Sequence, residues 1–172
     1  MSTGRWIPPV VVGNCLFDSG MFSNRWTLSH GSDPLAEVQR DPRHHTSHGV
    51  LADGTRIDLA PDGWGSVALM ANGAPLGQID RRSWWGRRWE ISSAGFACDL
   101  TSDPMPRRWK FRIGGEPIGS LAGTMWSYNR LAVHTDISTP VHALVLAWHV
   151  LARPWEAAAA PRSVMPDRVA AS

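Results

Sequence analysis

The feature that most constrains this chain is the run VHALVLAWHVLAR, from Val141 to Arg153, near its C-terminal end. Placed on a helical wheel it is apolar almost all round. Only His142, His149 and Arg153 fall together, in a stripe about 40° wide. Ser138 or Thr139 is placed to cap such a helix, Pro140 suits its first turn, and Pro154 ends it. A helix that is apolar on nearly every side is enclosed by protein or by lipid. At 1.5 Å per residue this one reaches only about 20 Å, short of a hydrocarbon layer of about 30 Å, and it carries two histidines. The spacing therefore predicts a central core helix over 140–153, and the rest of the chain must supply the enclosure.

The preceding sequence has the pattern of such an enclosure. Trp89 and Ile91 alternate with Arg88, Glu90 and Ser92, and Trp109, Phe111 and Ile113 alternate with Arg108, Lys110 and Arg112. This is the period of strands with one buried and one wet face. Asp53-Gly54, Asp62-Gly63, Asn72-Gly73 and Gly114-Gly115 have the composition of two-residue hairpin turns. Residues 71–91 align without a gap on 113–133, with Gly73, Pro75, Gly77, Trp84 and Arg88 matching Gly115, Pro117, Gly119, Trp126 and Arg130. A fainter copy runs from Trp26 through Pro34 to Val38. Repeated hairpins must hide their edges, and closure is the economical way. The expected fold is mainly β: a closed antiparallel barrel of about twelve strands around the hydrophobic C-terminal α-helix. Residues 1–9 form an N-terminal arm, 10–155 the barrel domain, and 156–172 a disordered tail. Ten tryptophans imply a wide interior to fill.

Composition excludes several classes of function. The formal charge is only +2, so no global field draws in nucleic acid. Cys15 and Cys98 form no metal or redox motif and read as buried thiols in a reducing compartment. The apolar run Ile7 to Val12 is broken by Pro8 and Pro9 and is too short for a signal peptide, which points to the cytoplasm. No nucleophile elbow, zinc-protease motif, phosphate loop or dinucleotide fingerprint occurs. A non-enzymatic protein without cofactor, metal or transmembrane span is expected.

The units NGAPLGQI and GGEPIGSL, the strands RRWEI and RRWKFRI, and the closing helix TPVHALVLAWHVLA stand in this order along residues 10 to 153. In that order they resemble the tubby C-terminal-like superfamily, which includes the LURP-one-related proteins of plants, the phospholipid scramblases and bacterial relatives. The resemblance implies a twelve-stranded barrel threaded by a helix. It also implies phosphoinositide headgroups bound at basic surface residues, or phospholipid movement linked to calcium. No acidic calcium loop and no palmitoylation-type cysteine cluster occurs here, so scramblase activity does not carry over residue by residue. With Lys110 as the single lysine, the phosphoinositide pocket does not either.

Four constellations remain. Arg81, Arg82, Arg87, Arg88, Arg108, Lys110 and Arg112 bring cations close together, and alternation puts Arg108, Lys110 and Arg112 on one outer face. Such a strip either grips phosphates of an anionic membrane surface or phosphorylated ligand, or is a solvated exterior neutralised by Asp80, Glu90, Asp99 and Asp103. His44, His45 and His48 either gather a metal or decorate a surface loop. His142 and His149 either face an internal ligand cavity or are core histidines bonded to strand carbonyls, with Arg153 at the barrel mouth. Trp89, Trp109 and Trp126 fall at inward phases. Of the neighbours Trp84 and Trp85, strand alternation exposes one, taken as Trp85, as a contact for a membrane interface or a partner. The functional expectation is a binding module for anionic phospholipid or another anion, peripheral at the membrane. The alternatives are a protein-interaction scaffold and a scramblase-like protein.

Overall fold

The computed structural model describes residues 6–20, 23–124 and 128–159, with side chains as far as residue 152. Twelve strands follow in chain order: β1 (Val10–Ser19), β2 (Arg25–His30), β3 (Asp33–Asp41), β4 (Thr46–Leu51), β5 (Arg56–Pro61) and β6 (Ser66–Ala71), then β7 (Ala74–Arg81), β8 (Arg88–Ser93), β9 (Phe96–Ser102), β10 (Arg108–Ile113), β11 (Glu116–Gly123) and β12 (Arg130–Pro140). Each pairs antiparallel with its sequence neighbours, and β1 pairs with β12 to close the barrel. The expected architecture is the one observed.

The repeat has a geometric cause. Between β6 and β7, Leu69 faces Gly77 but Met70 faces Pro75, so Leu76 is an extra residue. Between β10 and β11 the same shift leaves out Ile118, and between β2 and β3 it leaves out Leu35. Proline, one bulged apolar residue and one small residue thus recur in all three copies. The bulge accommodates a residue without an N–H and bends the strand around the barrel. In two copies the small residue is a glycine that close approach requires: a Cβ at Gly119 would lie 2.4 Å from the His134 carbonyl oxygen and one at Gly77 2.9 Å from that of Ser92, while the first copy holds Ala36. Asn72-Gly73 and Gly114-Gly115 turn with positive φ at both residues, as their composition predicts. Asp53-Gly54 and Asp62-Gly63 do not make two-residue turns, because residues 52–55 all stand between β4 and β5 and residues 62–65 between β5 and β6.

The helix α1 (Val141–Ala159) follows β12 without a loop, and Val141 to Leu144 and on to His149 are all buried within the barrel. Trp148 stacks on Phe17 at 5.9 Å and meets Trp26 edge-on at 6.0 Å. Two expectations about its ends are corrected. Thr139 is not a side-chain cap: its hydroxyl donates to the Ile137 carbonyl, and the Val141 N–H is satisfied by the Pro9 carbonyl of the arm. Nor does Pro154 end the helix, which reaches Ala159. A proline removes one helical hydrogen bond, and the alanines that follow are the strongest helix formers. Helix therefore occupies 156–159, where a disordered tail was expected, and residues 160–172 lie outside the described residues.

The two ends of the barrel differ. At one, short turns centred on Gly31, Gly54, Gly73, Gly95 and Gly115 join the strands, and α1 begins there. At the other, longer loops cover 42–45, 62–65, 82–87 and 103–107, and α1 emerges among them.

Candidate functional site: an aromatic rim at the loop-bearing end

The long loops carry several of the exposed large apolar side chains; others, such as Ile7, Val10, Val12 and Val50, are exposed on the arm and strands. Trp64 is 74 % exposed, Trp84 74 %, Trp85 82 % and Met105 55 %. Trp84 and Trp85 are both exposed, contrary to the expectation of one in and one out, because they lie in the β7–β8 loop rather than on a strand, where alternation does not operate. The rings of Trp64 and Trp84 are 6.0 Å apart.

Arg81 holds this rim together. It is the last residue of β7, half-buried, and its guanidinium lies 5.8 Å from the Trp64 ring and 6.0 Å from the Trp89 ring. Its Nε donates to the Ser83 carbonyl and a terminal nitrogen donates to that of Trp84. The Ser83 hydroxyl in turn accepts the N–H groups of Arg87 and Arg88, and the Trp89 indole N–H donates to the Gly86 carbonyl. The loop backbone is fixed from within, so both tryptophans are presented to solvent on a rigid support.

Behind the rim lies a cavity of about 540 Å³. Trp64, Trp85, Trp89 and Trp109 form its walls, and Arg40, Arg81, His149, Val150 and Leu151 are among the residues that line it. Trp89 and Trp109 do point inward, but at the barrel mouth, where they are only half-buried. Arg40 is 2 % exposed and donates from Nη1 to the His149 carbonyl at 2.8 Å. Its position in β3, two residues after Val38 and four after Ala36, is an inward phase, so alternation alone marks it as an interior cation. Trp64 had a signal too: a large ring between Gly63 and Gly65 has no strand face on which to be buried.

The arginine strip does lie on the outer face of β10, and acids meet it. Arg82 pairs with Glu90 at 2.8 Å, Arg88 with Asp99 at 3.1 Å and Lys110 with Asp103 at 3.4 Å. The Met105 N–H and Lys110 hold the Asp103 carboxyl below its ordinary range. Arg112 bonds the Gly115 carbonyl at the opposite end of the strand, away from the rim. Arg108 reaches the Met105 sulfur, and Arg107 lies over the Tyr128 ring at 4.2 Å. Arg87 is exposed and makes no ion pair among the described residues.

The histidines separate. The ring of His44 bonds the Asp41 carboxylate at 2.7 Å, which keeps that carboxyl below its usual range, while His45 lines the cavity and His48 sits on β4. Among the described residues no group of three metal-ligating side chains forms. His149 Nδ1 lies 2.8 Å from the Ser47 hydroxyl, a side-chain rather than a carbonyl partner. His142 has no hydrogen-bond partner at either ring nitrogen, so the expected pairing with strand carbonyls fails there. It stands in the first turn of α1, where the strand carbonyls around it are engaged in the ladders. Burial pushes its pKa down to about 4. Cys15 and Cys98 are free and buried. Trp126 and the Arg153 side chain lie outside the described residues.

Comparison with protein-family models, curated proteins and solved structures finds nothing that matches this chain. No helix among the described residues is long and apolar enough to cross a membrane.

Proposed function

We propose that this protein is a non-enzymatic binding module that docks its loop-bearing end on an anionic phospholipid surface, and that it is a relative of the tubby-like barrels. One observation carries the reading: Trp64, Trp84, Trp85 and Met105 are exposed at one end of the barrel, the β7–β8 loop braced by Arg81 and Ser83 and Met105 by Asp103, with Arg87 and Arg108 on the same loops and strand ends. Indole rings favour the boundary between headgroups and acyl chains, and neighbouring cations add attraction to anionic lipid. Exposed apolar side chains gathered in one place mark interaction sites. In this reading the Arg108, Lys110, Arg112 strip contributes only through its rim end. Arg112 is about 13 Å along the strand from Arg108, beyond a Debye length at physiological salt.

The test is sedimentation with vesicles of phosphatidylcholine alone and with added phosphatidylserine. Burying about 100 Å² of each ring at about 25 cal/mol/Å² supplies about 2.5 kcal/mol per ring, a factor of about seventy in binding for each. Trp84→Ser with Trp85→Ser should therefore release the protein from anionic vesicles with little change in melting temperature. Removing Arg87 should cost about 1 kcal/mol, lost again at high salt. Arg112→Ser should change binding little. A wild type that ignores anionic vesicles at low salt sinks the proposal and favours the interaction-scaffold reading, in which the same rim covers a protein.

A further inference from the structure

The cavity behind the rim has a chemistry of its own. Four indoles, Trp64, Trp85, Trp89 and Trp109, wall one space, and no carboxylate lines it among the described residues. Flat polarisable walls favour a flat ring stacked or edge-on between them. Indole faces also attract cations, but here the faces of Trp64 and Trp89 already hold the guanidinium of Arg81. Arg40 also lines the space, but its guanidinium is engaged, donating to the His149 carbonyl. A further cation entering this space meets the like charge of Arg81, whereas an anion is attracted by it. Nη1 of Arg81 makes no hydrogen bond among the described residues, so a donor remains for an incoming oxygen.

We infer that this cavity is a small-molecule site for a planar aromatic anion, a ring system of one or two fused rings bearing a carboxylate. The ring lies against the tryptophan walls and the carboxylate turns toward Arg81. A volume of about 540 Å³ holds such a ligand with room for water. The cavity shares Trp64 and Trp85 with the rim, but Trp84 belongs to the rim alone and Val67 to the cavity alone, so the two kinds of binding can be tested apart.

Isothermal titration of the full chain with three probes of one shape tests it: 2-naphthoate, neutral 2-naphthol and cationic 2-naphthylmethylamine. The naphthoate should bind more tightly than the naphthol, and about tenfold or more above the amine. Val67→Phe, which fills the cavity, should abolish naphthoate binding while vesicle sedimentation persists. Equal affinity for the three probes, no heat from any of them, or undiminished naphthoate binding by folded Val67→Phe would overturn the inference. The wild-type comparison of the three charges decides the matter even if the variant does not fold. Loss of vesicle binding in Trp84→Ser with naphthoate binding retained leaves both sites standing. Loss of both together would show that one surface serves both and would overturn the separate cavity site.

Discussion

At the scale of single residues, His142 imposes the clearest condition on the fold. It is fully buried with both ring nitrogens unpartnered, and its folded pKa lies at about 4. In the unfolded chain the ring titrates near its ordinary value of about 6.5. The folded state therefore binds fewer protons than the unfolded state between those values, and its stability is complete only above about pH 6.5. As the pH falls toward 4 that contribution is lost, about 2 kcal/mol by pH 5. Urea unfolding at pH 8 and pH 5 should show this loss in the wild type. His142→Leu should abolish most of it, so that the variant gains relative stability in acid. A loss of the same size in both proteins would place the acid sensitivity elsewhere. Two other buried polar groups, the Trp148 indole N–H and the Ser93 hydroxyl, also lack partners among the described residues, each at a cost on the order of 1–3 kcal/mol.

At the scale of elements, the helix is the interior. Leu144 to Trp148 are fully buried, and Leu146 lies 3.6 Å from the point where a Cβ on Gly77 would stand. Leu146→Asp introduces a charge with no buried partner and should cost about 4 kcal/mol or more. Ending the chain before Ser138 should leave no cooperative transition in circular dichroism. A folded fragment 1–137 would contradict the architecture. Strands, turns and helix were legible because each follows a period: two for Trp109, Phe111 and Ile113, and an all-round apolar wheel for Val141 to Ala152. Trp84 and Trp85 escaped the same reasoning because a loop residue obeys no period. Pro154 escaped it because the alanines beyond it outweigh one missing hydrogen bond. The candidate site was legible only in part. Its arginines and tryptophans were recognisable by type, but which of them meet depends on which loops share an end, and that follows from barrel closure.

At the scale of the whole molecule, the barrel is three copies of a four-stranded unit, marked by the bulges at Leu35, Leu76 and Ile118, and the cavity draws residues from all three, from Arg40 on β3 to Trp109 on β10. Closure joins β1 to β12, where Cys15 meets Val133 across more than a hundred residues of chain. Contacts so distant in sequence are slow to form because the loop must be closed first. Refolding from urea, followed by tryptophan fluorescence, should take milliseconds to seconds or longer. Full refolding within microseconds would imply that the sheet zips locally and that β1–β12 pairing is not limiting. The order of the elements has a further consequence while the protein is being made. The strands leave the ribosome before the helix that fills them. Until then a nascent chain is a curved sheet with two bare edges and an apolar concave face, the form most open to chaperones and to mispairing with its neighbours on the same polysome.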